Sequence, residues 1–203
     1  IYSIDEAFLS LNGIQENLPS YGHKMKDLVR KQVGMAVGVG IGATKTLAKL
    51  ASFIAKHSKR CDGVCVIESI EEWHAVFMKI PTKKIWGIGS RLSKSLAEQG
   101  VYSVYDLMRQ DTAYMRKRYN VNVARTIDEL NGICCYHMGL EPVAKKQIYS
   151  TRSFGQKITQ CSALEQSVSQ YANRACVKLR QQKQLVKTIL VFASSGHFVE
   201  RPY

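Results

Sequence analysis

The chain has 203 residues and is 45% apolar, so it is long enough for one large domain or two to three small ones. No run approaches the roughly 18 apolar residues of a membrane span. No export signal opens the chain, so a cytoplasmic protein is expected. The net charge of +13, from 29 Lys and Arg against 16 Asp and Glu, favours a partner rich in phosphates, with a solvated basic surface or anionic lipid as alternatives.

The six cysteines form no C-x-x-C pair, and a chain of this length does not need a disulfide framework. Reduced thiols are therefore expected, as in most cytosolic proteins. Cys134, Cys135 and His137 lie close together in the sequence, but no second ligand pair at zinc-finger spacing accompanies them. A structural zinc site is therefore not expected.

The first part of the chain alternates strands and helices. A hairpin is predicted over Ile1–Leu11, where β-favouring residues flank the charged pair Asp5-Glu6 at the turn. Four further elements are predicted: a helix over Tyr21–Val33, a strand over Met35–Ile41, a helix capped by Thr44 that runs to His57, and a strand over Gly63–Ile67. This order predicts an α+β fold in which the helices pack on one face of a sheet.

Two further regions follow. Residues 68–138 are predicted to be all-α, beginning at a capping box formed by Ser69 and Glu72. After a linker, an α/β unit is predicted, with a strand over Gln147–Phe154, a helix from Ser162 to Gln182 and a strand over Leu185–Ala193. Such a unit ending at Tyr203 leaves a sheet face partly covered, so a truncated domain is expected.

Asp5 and Glu6 are adjacent carboxylates in an apolar stretch. Neighbouring residues of a strand point to opposite faces, so both can serve one site only where the strand ends or turns. Two such charges are costly to bury unless a cation neutralises them, and oxygen ligands suit Mg²⁺. The pair therefore indicates two-metal phosphoryl transfer, with a polar hairpin tip as the alternative.

The helix after Gly38–Gly42 carries a basic stripe. Lys45, Lys49, Ser52 and Lys56 fall on one side at helical spacing, and apolar residues occupy the opposite side. A P-loop or dinucleotide site is excluded because neither the G-K-[ST] ending nor the G-x-G-x-x-G spacing is present. The stripe predicts a surface for a polyphosphate or DNA backbone, with an ordinary solvated face as the alternative.

A helix–hairpin–helix is predicted around Gly87-Ile88-Gly89, which joins two short helices. The glycines allow backbone N–H groups at the start of the second helix to approach a phosphate. Lys83, Lys84, Arg91 and Lys94 surround the turn with positive charge. Such contacts position a duplex without recognising its sequence, and an ordinary αα-hairpin is the alternative.

Four stretches resemble the Y-family of lesion-bypass DNA polymerases. They are Tyr2–Leu9 (YSIDEAFL), Gly40–Ala51 (GIGATKTLAKLA), Trp86–Gly89 (WGIG) and Ser150–Gly155 (STRSFG). The last lies in a region that, from residue 142 onward, holds ten Lys or Arg against two Glu. The match spans the chain in family order, and the WGIG and TRSFG stretches are most similar to the catalytic subunit of bacterial DNA polymerase V, the UmuC/MucB type.

The resemblance implies roles for individual residues. Asp5 and Glu6 would be two of the catalytic acids that bind two Mg²⁺ ions, and Ser3 would only pack or turn the chain. Lys49 would contact the triphosphate of the incoming nucleotide, with Lys45 and Thr44 as weaker candidates for the same surface. The residues that would bind DNA are Lys84, Gly87, Ile88, Gly89, Arg91, Lys94, Arg152 and Lys157.

The same resemblance implies a domain order. Residues 1–67 would be the C-terminal part of a polymerase palm, 68–138 an all-α thumb with the helix–hairpin–helix, 139–146 a linker, and 147–203 the N-terminal part of an α/β little-finger domain. Primer–template DNA and deoxynucleoside triphosphates would be the partners. Accessory subunits, a recombinase filament and a sliding clamp would join the full-length protein, which would act at the nucleoid in the SOS response.

Parts of the family pattern are missing from this sequence. The first metal-binding aspartate, the fingers and the steric-gate aromatic residue lie upstream of the stretch that matches Ile1, so the chain by itself is expected to be inactive. A non-catalytic DNA-binding protein derived from such a polymerase is the main alternative. A helix–hairpin–helix repair nuclease or glycosylase subunit is a more distant one.

Overall fold

The structure is a computed structural model that describes residues 3, 5–137 and 146–194. The chain divides into two compact units, residues 1–138 and 139–203. Residues 139–145 of the predicted linker over 139–146 lie outside the described residues, and so do Ile1, Tyr2 and Ile4 of the predicted hairpin.

The centre of the first unit is a pair of parallel strands. β1 (Val39–Gly42) pairs with β2 (Val64–Ile67), so that Val39 lies opposite Val64. β1 is shorter than predicted, since residues 35–38 are not part of the strand. The predicted helix between the strands is confirmed as α2 (Lys45–His57), and its predicted cap is confirmed because the Thr44 side chain accepts a hydrogen bond from the Leu47 N–H.

Helices pack on both faces of this two-stranded sheet, so the prediction of a single covered face was wrong. α1 (Leu18–Val33) lies against the face that carries Val39, Ile41 and Val64, because a methyl group added at Gly22 would meet those three side chains. α2 lies against the opposite face. The period of two along each strand sends alternate side chains to the two helices.

Close packing of α2 against β1 depends on a residue without a side chain. A Cβ atom at Gly40 would lie 2.1 Å from the Ser52 backbone nitrogen and 2.2 Å from the Ala48 carbonyl oxygen. Such separations are far inside van der Waals contact, so only glycine allows this helix to approach the strand so closely. The buried side of α2 is apolar as predicted, with Leu47, Leu50 and Ala51 in the core.

The part of the first unit that follows β2 is mainly helical. It contains α3 (His74–Phe77), α4 (Ser90–Ala97), α5 (Val104–Met108), α6 (Thr112–Arg118) and α7 (Val121–Leu130). One hydrophobic core joins them to α2 and β2, and its fully buried members include Phe77, Leu96, Leu107 and Leu130. The all-α prediction for residues 68–138 therefore matches the described part of this region.

The capping box predicted at Ser69 and Glu72 was wrong. The Ser69 hydroxyl donates to the Glu71 carboxylate at 2.9 Å, and only a 3₁₀ turn over Glu71–Trp73 follows. A capping box instead starts α5, where Ser103 and Asp106 exchange side-chain-to-backbone hydrogen bonds. Both sites have the required spacing, so the pattern alone could not decide which of them begins a helix.

No strand forms over the described residues 5–11, so the predicted hairpin was wrong there. The Ser3 N–H donates to the Glu6 carbonyl at 3.1 Å, which makes a local turn. Leu9 beyond the turn is 65% exposed. An isolated two-stranded hairpin is marginal in water, and no strand of the described residues pairs with residues 5–11.

The second unit contains one long helix, α8 (Cys161–Gln181), which confirms the predicted helix. The two predicted strands beside it are not formed within residues 146–194. Leu185 is 99% exposed and Leu190 is 83% exposed, so their apolar pattern covers no core. Strands need a pairing partner for their backbone groups, and these segments have none within the described residues.

Candidate nucleotide and DNA-backbone site

The turn at the start of the chain presents two carboxylates to solvent. Both Asp5 and Glu6 are exposed. The Ser3 hydroxyl donates to Asp5 Oδ1 at 2.6 Å, and this hydrogen bond is the main cause that lowers the pKa of Asp5 below 3.8. A backbone hydrogen bond and the charges of Lys56 and Lys49 act in the same direction. Asp5 is therefore ionised at neutral pH, the state in which a carboxylate binds a metal ion.

Lys49 links this turn to α2. Its Nζ lies 2.7 Å from Glu6 Oε2, an ion pair between residues 43 positions apart. The lysine side chain is 22% exposed and the glutamate side chain 40% exposed. The structure thus brings together the predicted metal-binding pair and the predicted phosphate-binding lysine, which lie in separate sequence motifs.

An aromatic cluster, defined here as Phe8, Trp86 and Tyr136, lies beside this ion pair. The Trp86 ring is 5.8 Å from Phe8 and 5.4 Å from Tyr136, measured between ring centroids. Lys49 Nζ lies 5.1 Å from the Trp86 centroid, and Lys45 Nζ lies 5.4 Å from that of Phe8. Cations over aromatic faces are attracted by the ring quadrupole, so the cluster holds both ammonium groups near the turn.

The predicted basic stripe of α2 separates into two parts. Lys45 and Lys49 lie with the aromatic cluster at the start of the helix. Ser52 and Lys56 face the segment before β1 instead, where the Ser52 hydroxyl donates to the Gly38 carbonyl at 3.3 Å. The aliphatic part of Lys56 also covers Gly38. Lys45 and Lys49 therefore contact the aromatic cluster, whereas Lys56 acts on Asp5 through its charge.

Thr44 is the buried N-cap of α2 and does not lie on the surface that Lys45 and Lys49 share. Its side chain is 3% exposed, accepts from the Leu47 N–H and donates to the Glu129 carbonyl oxygen at 2.8 Å. Its hydroxyl hydrogen is therefore committed to the protein. The structure does not bring this predicted nucleotide-binding residue to solvent beside Lys49.

The glycine turn before α4 is open to solvent. Gly87 has φ +84°, a conformation that favours glycine, and a Cβ at Gly87 or Gly89 would meet nothing within 4 Å. Gly89 caps α4 without a side-chain hydrogen bond. Ile88 differs, because its side chain is buried and its N–H already donates to the Ile85 carbonyl. The first helix expected here is only a 3₁₀ turn over Thr82–Lys84.

The other predicted DNA-binding residues are exposed. Lys84, Arg91 and Lys94 lie within a few residues of the glycine turn in the sequence, and Lys84 Nζ lies 5.4 Å from the Phe53 ring centroid. Arg152 and Lys157 are exposed in the second unit. Each of these side chains can reach a phosphate from solvent.

Glu129 and Tyr136 belong to this region and were not found from the sequence. Glu129 is a fully buried carboxylate in α7 whose oxygens accept backbone N–H groups of Thr46, Cys135 and Tyr136. The sequence signal that could have identified Glu129 is its place as a charged residue between the buried residues Ile127 and Leu130 of α7. Tyr136 had no such signal, since only tertiary packing brings it to Trp86.

The described residues bring few possible metal ligands close together. No group of three or more His, Cys, Asp or Glu residues there is placed to hold a metal ion. Cys134 Sγ lies 3.8 Å from His137 Nδ1, whereas Cys135 Sγ lies beside Asp128 Oδ2. Asp5 and Glu6 offer hard, exposed oxygen donors, which fit two of the ligands of a Mg²⁺ site.

The helices of the described part of the chain include none long and apolar enough to cross a membrane.

Comparisons with known proteins agree with these features. The impB/mucB/samB family matches residues 1–53, and the C-terminal domain of that family matches residues 145–201. UmuC of Salmonella typhimurium is 39% identical over 100% of this chain and 49% of its own length. DNA polymerase IV of Moorella thermoacetica is 28% identical over 78% of this chain and 38% of its own.

A solved structure also resembles the chain. The crystal structure of DinB from Sulfolobus solfataricus has a TM-score of 0.45 and 26% sequence identity, and the match covers 59% of this chain and 34% of that one. The chain belongs to the impB/mucB/samB family, as its whole-length similarity to UmuC and SamB shows. It spans about half the length of the curated relatives it matches.

Proposed function

We propose that this chain is part of a template-directed DNA polymerase that copies damaged DNA by nucleotidyl transfer. The observation that carries the proposal is the 2.7 Å contact between Glu6 and Lys49, which places one of the two adjacent carboxylates beside the lysine proposed to bind phosphate. The name of one relative supports it, DNA polymerase IV of Moorella thermoacetica. The activity is proposed for a protein of the relatives' length, with primer–template DNA and deoxynucleoside triphosphates as substrates.

Each residue of the site has a role in this proposal. Asp5 and Glu6 would hold Mg²⁺, as two ligands among those that the complete enzyme supplies. The chemistry that bound Mg²⁺ supplies is activation of the primer 3′-hydroxyl and stabilisation of charge at the phosphorus. Lys49 exchanges Glu6 for a phosphate oxygen when the nucleotide enters, and Lys45 lies on the same side of α2.

The DNA-binding surfaces complete the proposal. Backbone N–H groups at Gly87 and Gly89, with Lys84, Arg91 and Lys94, would hold one strand by its phosphates. Arg152 and Lys157 would do the same from the second unit. The assignment of the domains as palm, thumb and little finger is part of this proposal. Accessory subunits, a recombinase filament and a sliding clamp are the further partners proposed for the full-length protein.

The nucleotide surface is tested by replacing Lys49 with Met in the full-length protein. The loss of one charge-assisted hydrogen bond is worth about 1.5–3 kcal/mol, so KM for the nucleotide should rise about 10- to 100-fold. Steady-state primer extension over a range of nucleotide concentrations measures this change. Lys59→Met is the matched control because Lys59 is exposed outside the site, and it should leave KM unchanged. An unchanged KM in Lys49→Met contradicts the proposal.

The glycine turn is tested by the double substitution Arg91→Ala and Lys94→Ala. The slope of log affinity against log salt is negative, and each lost phosphate contact should reduce its magnitude by about 0.9, so the pair should reduce it by about 1.8. Fluorescence anisotropy with labelled duplex DNA at several salt concentrations measures the slope. Lys31→Ala removes an exposed charge from α1 and should leave the slope as it is. If both variants reduce the magnitude of the slope equally, the result shows only a general charge effect.

The 203-residue chain by itself is expected to bind DNA weakly and not to extend a primer. Two ions between like-charged ligands need a third carboxylate, and the family resemblance assigns that residue to a stretch before Ile1. The open turn at Gly87 and Gly89 also favours the alternative of a non-catalytic DNA-binding protein. Primer extension with Mg²⁺ and the chain alone measures this, and synthesis above the no-protein background would contradict it.

A further inference from the structure

Glu129 is a buried charged residue that the proposed reaction does not use. Its side chain is 0% exposed, yet both carboxylate oxygens are satisfied. Oε2 accepts the Thr46 N–H at 2.9 Å, and Oε1 accepts the N–H groups of Cys135 at 2.7 Å and Tyr136 at 3.0 Å. A carboxylate is costly to bury unless it is hydrogen-bonded, so these three bonds account for its position.

The two oxygens join separate parts of the first unit. Thr46 lies in the first turn of α2, the helix that carries Lys45 and Lys49. Cys135 and Tyr136 lie in the segment that follows α7. The Thr44 hydroxyl adds a fourth bond by donating to the carbonyl oxygen of Glu129 itself. One residue of α7 therefore fixes the start of α2 against the segment over residues 133–137.

That segment supports the lysines directly. The Tyr136 ring packs edge-on against Trp86, over which Lys49 Nζ lies. The His137 carbonyl oxygen accepts a hydrogen bond from Lys45 Nζ at 2.9 Å. Displacement of the segment would thus remove a carbonyl partner of Lys45 and one wall of the aromatic cluster beside Lys49.

We propose that Glu129 is a positioning residue, which holds Lys45 and Lys49 in the arrangement that receives a triphosphate. The proposal rests on the proposed function of the two lysines. Glutamine cannot replace this residue, although its size is nearly the same. An amide has one acceptor oxygen, so it can serve either Thr46 or the Cys135–Tyr136 pair, and its NH₂ group would face the N–H groups left over.

The test uses the 203-residue chain carrying Trp73→Phe, which leaves Trp86 as its single tryptophan. Glu129→Gln is compared with Glu98→Gln, the same chemical change at an exposed position. In Glu129→Gln the Trp86 emission should shift to longer wavelength and acrylamide should quench it more. Affinity for inorganic tripolyphosphate, measured by calorimetry at low salt, should fall about tenfold, as expected for one lost charge-assisted hydrogen bond. Glu98→Gln should change neither quantity.

The outcomes separate the two proposals. If the unaltered chain binds tripolyphosphate and Glu129→Gln binds it equally well, the positioning role is overturned and the lysine surface stands. If the unaltered chain does not bind tripolyphosphate, the lysine surface itself is overturned, and the role of Glu129 toward it falls as well. Should Glu129→Gln fail to fold, amide hydrogen exchange in the unaltered chain decides. Slow exchange at Thr46, Cys135 and Tyr136 supports the proposal, and fast exchange at Cys135 and Tyr136 overturns it.

Discussion

Replacement of Asp5 by Ala in the full-length protein is expected to slow primer extension by about 1,000-fold and to leave DNA affinity unchanged. Charge stabilisation through a bound metal is worth several kcal/mol in the transition state, and each 1.36 kcal/mol is a factor of ten in rate. Asp5 is exposed, and its low pKa keeps it ionised, so its removal takes a ligand from the site without opening a cavity. Single-turnover primer extension at saturating nucleotide measures the rate.

The matched control for this experiment is Asp27→Ala. Asp27 is an exposed aspartate of α1, so this variant loses the same charge at a position outside the site. DNA affinity, measured for both variants, separates loss of chemistry from loss of binding. If Asp5→Ala extends the primer as fast as Asp27→Ala, Asp5 is not a catalytic acid and the polymerase assignment of this turn is wrong.

Replacement of Gly40 by Ala should lower the free energy of unfolding of the first unit by about 3 kcal/mol or more. Overpacking a core typically costs 1–3 kcal/mol, and the cost is highest where the neighbours cannot yield. At Gly40 the neighbours are backbone atoms of Ser52 and Ala48, at 2.1 and 2.2 Å from the added Cβ. The helix that carries Lys45 and Lys49 must therefore move away from β1.

Urea unfolding followed by far-UV circular dichroism measures this loss. Gly155→Ala is the control, because a Cβ there meets nothing within 4 Å, and it should cause no loss of stability. We also expect Gly40→Ala to weaken tripolyphosphate binding, since the lysines move with the helix. A variant as stable as the unaltered chain would show that α2 does not pack on β1 at this distance.

Sequence reasoning succeeded where local pattern and burial agree. α2 follows from its Thr44 cap and from an apolar face at helical spacing, and the structure has both. The helix predicted from Ser162 to Gln182 is likewise present as α8. The pair Asp5-Glu6 and the residue Lys49 were chosen as site residues because residue type, spacing and family motif all pointed to phosphate chemistry.

Strands were predicted less well, because a strand is completed by partners distant in the sequence. The segments over residues 147–154 and 185–193 were predicted to be strands, but no strand pairs with them in the described residues. The same reason accounts for residues 5–11. The placement of α1 and α2 on opposite faces of the sheet also escaped prediction, since the sequence pattern does not state which face a helix will cover.

The sequence by itself determined the family, the basic character and the identity of the chemical groups at the turn and on α2, because these depend on residue type and local spacing. Tertiary structure alone decided that Glu6 pairs with Lys49, that Trp86 and Tyr136 lie beside them, and that Glu129 joins α7 to α2. The hydrogen bond between Glu129 and Thr46, for example, spans 83 positions along the chain. They exist because the core brings the helices together, which no local pattern encodes.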